Sequence, residues 1–304
     1  MSTRVVVIAG PTASGKSSLA VQLSLKLGAH VLNADSRQVY RELNAGVAKP
    51  TAAELAAVPH HLVGHVSIHD PYSAGRWAAE ARHLLAGGRA DATGAAGATW
   101  WVISGGSGLH VRALIDGIPD MPQVPSETRE RWTHVLAKAG LPALQAALRE
   151  RDPEYAAVVD LANPHRLLRA LSVMEASGET FTALRARPAS PLPYRVQWLV
   201  IDPDRTLLYQ RINARVERML AGGLEEEART LLPYRDLDAL QTIGYREWWP
   251  YFDGTSSREE VVAAVKQSTR HYARRQLTWN RKLSGARLAE SDADAALSAL
   301  KLTA

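Results

Sequence analysis

The residues Gly10, Pro11, Thr12, Ala13, Ser14, Gly15, Lys16 and Ser17 follow the pattern G-x-x-x-x-G-K-S. That spacing lets a glycine-containing turn wrap backbone N–H groups around anionic oxygens at a helix N-terminus. Lys16 adds a point charge and Ser17 a hydroxyl able to face a magnesium ion. The chemistry is phosphate binding, but the reaction stays open, because kinases, switch GTPases, motor ATPases and other enzymes share such a loop. An ATP-splitting loop of this type usually works with an acid at the end of a neighbouring strand, which helps hold magnesium. Here the apolar run 101–103 leads into Ser104-Gly-Gly-Ser-Gly108, with no carboxylate. Asp202 follows another apolar run, yet Pro203 comes directly after it, and the pair reads as a strand-end turn. Ordinary ATP chemistry is therefore disfavoured. The carboxylate that stands out is Asp35, with Ser36, Arg37 and Gln38 after it. An Asp after a strand commonly caps a turn or helix, and the same group could accept a proton in catalysis.

These groups need a scaffold. Strand-like runs at 5–9, 30–33, 100–104 and 195–201 alternate with helical patterns at 76–85 and 109–115. This is the alternation of an α/β fold, a parallel sheet covered by helices, whose ligands collect at the carboxyl ends of the strands. Strand 30–33 would deliver Asp35 to that edge, beside the phosphate loop. From 119 to 193 the strand signals stop. Helices are expected at 126–139, 141–151 and 163–177, the last with Asn163 as N-cap and Pro164 in the first helical position. The expected organisation is a P-loop core in two parts, 1–118 and 194–304, with an inserted all-helical domain at 119–193. Long helices close the chain at 204–221 and 258–283, and the Ala/Gly-rich patch 86–98 is expected to be a surface loop.

Composition narrows the classes. With 304 residues the chain can bury a full core, and its 36 Lys and Arg against 31 Asp and Glu leave a formal charge of +5, a mild pointer to a polyanionic partner. It contains no cysteine, which removes disulfides, thiol nucleophiles and thiolate metal sites, and fits a cytoplasmic protein. No run approaches the roughly 18 apolar residues of a membrane span, and residues 1–4 pass directly into the first strand, so neither a membrane anchor nor a signal peptide is expected. His60, His61, His65 and His69 lack the surrounding ligands of a metal site and are assigned to a structural loop and strand. On the last long helix, Lys266, Arg270, Arg274 and Arg281 fall on one stripe and Val261, Val265, Tyr272 and Trp279 on the far side, the pattern of an anchored helix facing phosphates.

The blocks GPTASGKS at 10–17, NADSRQVY at 33–40, ISGGSGLHVRAL at 103–114 and NPHRLLRALSV at 163–173 occur in one chain and one order. They are followed by LYQRINARVERML at 208–220, QTIGYRE at 241–247 and HYARRQLTWNRK at 271–282. Together they resemble the tRNA dimethylallyltransferase, or tRNA isopentenyltransferase, family over nearly the whole chain. Departures are local: Val47 where a threonine is usual, His110 where a tyrosine is common, and Asn280 where an aromatic or leucine often sits. The resemblance implies transfer of a five-carbon dimethylallyl group from dimethylallyl diphosphate to the exocyclic amine of adenosine 37 of tRNA, with Mg2+ held partly by Ser17. It implies that residues 10–17 bind the diphosphate, that Lys16 and Arg215 stabilise its developing charge, and that Asp35 acts as general base. It implies tRNA contacts by Asp35, Ser36, Arg37, Gln38 and Ser107, and by Arg129, His165, Arg166 and Arg169 of the insertion. Gln241, Gly244, Tyr245, Arg246, Arg274, Arg275 and Arg281 would complete the surface for the anticodon stem-loop. The enzyme is expected to be monomeric.

Three alternatives share some of these features. A P-loop small-molecule kinase would consume ATP. An RNA-binding switch would need no Asp35. An isopentenyltransferase acting on free adenine nucleotides would share the loop and the aspartate, but would leave the insertion and the basic C-terminal blocks without a role.

Overall fold

The computed structural model describes residues 3–87, 100–119 and 121–301. Its strands are β1 (Arg4–Ala9), β2 (His30–Asn33), β3 (His60–His61), β4 (Trp100–Ser104), β5 (Arg195–Ile201) and β6 (Ala286–Leu288). They form one sheet in the order β3-β2-β4-β1-β5-β6, parallel throughout. A parallel sheet covered on both faces needs strands that are apolar on both sides, which is why β1 reads as an unbroken Val5-Val-Val-Ile8. Alternation along the strand sorts these residues into two layers. Val5 and Val7 enter one core cluster with Trp77, Leu85, Ile103 and Leu114, while Val6 and Ile8 enter another with Leu19, Leu23, Val102 and Ile201.

The chain divides into two compact units, one of residues 1–115 and 192–304 and the other Asp116–Pro191. In the first, α1 (Lys16–Leu27) starts inside the phosphate loop, followed by α2 (Ala52–Ala57), α3 (Ala74–Gly87) and α4 (Gly108–Ile115). The patch expected as a surface loop at 86–98 contributes Ala86 and Gly87 to the end of α3, and the rest lies outside the described residues.

The second unit is helical, as the loss of strand signal predicts: α5 (Ser126–Arg151), α6 (Pro153–Val158), α7 (Pro164–Ser177) and α8 (Phe181–Ala186). Gly140, at φ 74° and ψ −178°, interrupts α5 where two helices were expected to meet. Asn163 caps α7 by accepting from the Arg166 N–H, with Pro164 in the first turn. Trp132, Leu144, Leu148, Leu167, Leu171 and Phe181 form this unit's own core. The expected breaks after 118 and 193 fall instead after Ile115 and Pro191.

The remainder of the first unit holds α9 (Arg205–Ala221), α10 (Leu224–Leu231), α11 (Trp249–Phe252), α12 (Arg258–Asn280) and α13 (Ala293–Ala299). Asp204 caps α9, and Ser257 and Glu260 form a capping box on α12. The short strand β6 and helix α13 carry too weak a pattern to be expected from sequence. Among the described residues no helix is long and apolar enough to cross a membrane.

Candidate active site

The phosphate loop leaves β1 at the carboxyl edge of the sheet and turns into α1 through Gly15. It borders a cavity of about 400 Å³ lined by 12–18, Asp35, Gln38, 104–106, Arg211, Arg215, Arg218 and Tyr272. Lys16 is 8% exposed, and its ammonium donates to the Pro11 carbonyl at 2.6 Å. Burial, and then the positive field of Arg215, pull the Lys16 ammonium down to about 7, with Asp35 acting in the opposite sense. Burial also lowers Arg215, again opposed by Asp35. Among the described residues Asp35 is the one acid beside Lys16, Arg211, Arg215 and Arg218 on the cavity wall, so basic groups outnumber acidic ones and the site favours an incoming polyanion. Ser14 adds a buried hydroxyl with no hydrogen-bond partner, and Ser17 is exposed on the first turn of α1.

Asp35 follows β2, and its carboxylate caps the turn that comes after the strand. Its Oδ1 accepts from the backbone N–H groups of Arg37 (2.9 Å) and Gln38 (3.3 Å), fixing the turn. Its Oδ2 has no hydrogen bond among the described residues and faces Gly106, where a Cβ would stand 3.1 Å from it. The cap therefore holds the side chain in place and leaves one oxygen for chemistry. The absence of an acid after β4 also has a steric cause. A Cβ on Gly105 would lie 2.1 Å from the Ala34 carbonyl carbon, so the turn carrying Asp35 occupies the room a side chain there would need.

A second cavity, about 270 Å³, adjoins the first; Thr12, Asp35, Arg215 and Tyr272 line both. Its other walls include Ser36, Arg37, Gln241, Thr242, Gly244, Arg246 and Arg275. The structure thus gathers most of the first unit's expected RNA-contacting residues beside Asp35. Ser107 lies one residue beyond the Gly105-Gly106 turn, its hydroxyl 2.6 Å from His110 Nδ1, and burial pulls that imidazole down to about 4. Arg129, His165, Arg166 and Arg169 are exposed on α5 and α7 of the helical unit. Arg274 and Arg275 are exposed on α12, and Arg281, also exposed, follows its last turn.

Two expectations need correction. Tyr245 is 0% exposed, with its phenol donating to Glu227 at 2.5 Å, so it offers no surface to RNA and acts as an internal brace. On α12, Lys266 pairs with Glu217 and Arg270 donates to Asn213, both on α9. The basic stripe is thus split: its first half ties two helices together and its second half faces outward. Trp248 is fully buried, and His60 and His61 form β3, the strand expected for them, with His61 stacked on His30. Among the described residues no group of three His, Asp or Glu side chains could hold a metal.

Several site residues escaped the sequence reasoning. Gln276 accepts from the Thr12 N–H at 2.7 Å and donates to the Gly106 carbonyl at 2.9 Å, stitching the phosphate loop to the β4 turn. Tyr272, assigned to the apolar anchor, donates to the same carbonyl at 2.8 Å, and burial, then Asp35, raise its phenol. Arg211 and Arg218 accompany Arg215 in the first cavity. Their spacing, i, i+4 and i+7 on one helix, was the signal available for them.

Fold and site define a P-loop-type enzyme with a phosphate loop but without the strand-end acid of nucleotide hydrolysis, and with a carboxylate that lines both the loop's cavity and a second pocket. A family model described as IPP transferase matches residues 38–283. The chain is 40% identical over 277 residues to a tRNA dimethylallyltransferase of Cytophaga hutchinsonii, covering 90% of this chain and 88% of the relative. It is 40% identical over 284 residues to one of Chlorobium phaeovibrioides, covering 91% and 88%. A crystal structure of the tRNA isopentenylpyrophosphate transferase of Bacillus halodurans matches with a TM-score of 0.67 and 31% identity, covering 98% of this chain and 94% of that one. A eukaryotic dimethylallyltransferase acting on tRNA shares the fold, with a TM-score of 0.74 at 22% identity over 98% of this chain and 76% of that one. The chain belongs to the IPP transferase family.

Proposed function

We infer that this protein is a tRNA dimethylallyltransferase, moving the dimethylallyl group of dimethylallyl diphosphate to the exocyclic amine of adenosine 37 of tRNA and releasing diphosphate. The observation that carries this reading is Asp35, which lines both the phosphate cavity and the neighbouring pocket, inside a chain whose relatives bear that name. The loop amides, Lys16 and Arg215 hold the diphosphate, and their positive charge in the bound state stabilises it as the allylic C–O bond breaks. The adenine nitrogen forms the new bond to the allylic carbon, and its proton passes to Asp35 Oδ2.

To reach that point the adenine must leave the anticodon stack, as in other enzymes that act on a flipped base. The pocket walled by Ser36, Arg37, Gln241 and Arg246 is the place for it. Arg129, His165, Arg166 and Arg169 of the helical unit, with Arg274, Arg275 and Arg281, supply cations for RNA phosphates.

Magnesium fits the donor set. The exposed Ser17 hydroxyl offers one oxygen at the phosphate loop, and a hard ion of this kind takes its other ligands from phosphates and water. When bound it would neutralise part of the charge on the diphosphate. The enzyme is proposed to work in the cytoplasm and as a monomer.

The test supplies labelled dimethylallyl diphosphate together with tRNA, AMP, ADP and ATP as separate acceptors. Label entering tRNA alone is the expected result. Label entering a free nucleotide instead would assign the chain to the nucleotide-modifying enzymes, and ATP hydrolysis without prenyl transfer would favour a P-loop ATPase or kinase.

A further inference from the structure

Glu227, on α10, borders neither cavity, yet three donors converge on its carboxylate. The backbone N–H groups of Asn44 and Ala45 each donate at 3.0 Å, and the phenol of the buried Tyr245 donates at 2.5 Å. Hydrogen bonds to an ionised acceptor are roughly twice as strong as neutral ones, so this is a firm attachment. What it attaches is the single 3-10 turn Ala45–Val47. Gly46 sits so close beneath the Tyr245 ring that a Cβ there would be 2.5 Å from it, and the phenol and the turn are therefore held as one piece.

The turn has a task at its far end. The Val47 carbonyl accepts from Arg215 Nη2 at 3.2 Å and from Gln38 Nε2 at 3.1 Å, and the Ala48 carbonyl accepts from Gln38 Nε2 at 3.0 Å. Arg215 and Gln38 both line the phosphate cavity. Hydrogen bonds at its two ends, joined by the backbone of the turn, thus connect a carboxylate outside the site to the guanidinium inside it.

We propose that Glu227, through Tyr245 and the Ala45–Val47 turn, is a positioning residue that sets the orientation of Arg215 toward a bound diphosphate. This rests on the proposed function to the extent that Arg215 faces that anion. Glu227 itself touches no substrate. Replacing it by Gln leaves one acceptor oxygen but turns an amide N–H₂ toward a backbone N–H, so one end of the turn is released while the size of the side chain is kept.

Calorimetric titration with inorganic diphosphate and magnesium tests this independently of transfer. Glu227→Gln is expected to weaken diphosphate binding by about tenfold, the scale on which supporting residues tune a site through those they hold. Tyr245→Phe, which removes one of the three hydrogen bonds, should give a smaller loss in the same direction. In an Arg215→Ala background, Glu227→Gln should change the affinity by less than about twofold, because the group it orients is gone. Losses that multiply across the two substitutions, or parental affinity in Glu227→Gln, would overturn the assignment. Should Glu227→Gln fail to fold, the same comparison made with Tyr245→Phe decides it. If the parent and its variants follow this pattern while the parent transfers no dimethylallyl group to tRNA, the proposed function fails and the role of Glu227 stands.

Discussion

Lys16 and Asp35 share one cavity, and the surroundings of Lys16 change how it holds its proton. Burial and Arg215 lower Lys16 to about 7, so in the free protein at pH 8 the neutral amine is favoured. A bound diphosphate supplies the missing counter-charge and raises the group again. Binding at pH 8 should therefore take up a proton at Lys16. Titrations in buffers of different ionisation enthalpy should show more proton uptake by the parent than by Lys16→Met, and equal uptake would mean that the ammonium is already charged in the free site. The same lowered value bears on folding. The unfolded chain holds this proton up to about 10.5, so between about 7 and 10.5 it binds more protons than the native state, and this residue's contribution makes stability rise with pH there. For Asp35 the prediction concerns rate. Asp35→Asn keeps the oxygen that accepts from Arg37 and Gln38 but cannot take the adenine proton, so single-turnover transfer should fall by about 10²–10⁴ with tRNA affinity little changed. A rate within about threefold of the parent would leave Asp35 as a cap alone and send the proton elsewhere.

The elements that carry these residues were legible in unequal measure. Strands β2, β4 and β5 lie where apolar runs and turn residues placed them, because a buried parallel strand announces itself locally. The phosphate loop and Asp35 could be found for the same reason: each is adjacent in sequence to the strand that delivers it. Gln276 could not, since it meets Thr12 across 264 residues of chain, and neither could Glu227, whose partners Asn44 and Ala45 lie more than 180 residues away. Helix α12 shows how a periodic pattern can mislead. The stripe of cations is real, but the pairing of Lys266 with Glu217 and of Arg270 with Asn213 depends on α9, which no helical wheel of α12 contains. Arg274 and Arg281 remain exposed and are the part of the stripe available to RNA. Each Arg→Ala change there should reduce the salt dependence of tRNA binding by about one counterion and leave diphosphate affinity unaltered. An unchanged slope of log affinity against log salt would remove that residue from the interface.

At the scale of the whole molecule, the chain combines a sheet-based unit that contains both cavities with a helical unit that has its own core and exposed cations. The division follows from sequence in a simple way: strand signals vanish where the second unit begins, and a helical segment of this length can bury enough apolar surface to hold itself together. Under the proposed function the phosphate cavity would hold the prenyl diphosphate and the second pocket, which shares Asp35 with it, would take the acceptor base. The central claim is that these two cavities serve one reaction between a diphosphate ester and one adenine of tRNA. The most direct measurement is to react the protein with dimethylallyl diphosphate and unmodified tRNA, digest the product, and locate the added group by mass spectrometry while counting the diphosphate released. The account predicts one dimethylallyl group on the exocyclic nitrogen of adenosine 37 for each diphosphate. Release of diphosphate without modified tRNA, or modification spread over other nucleotides, would contradict it.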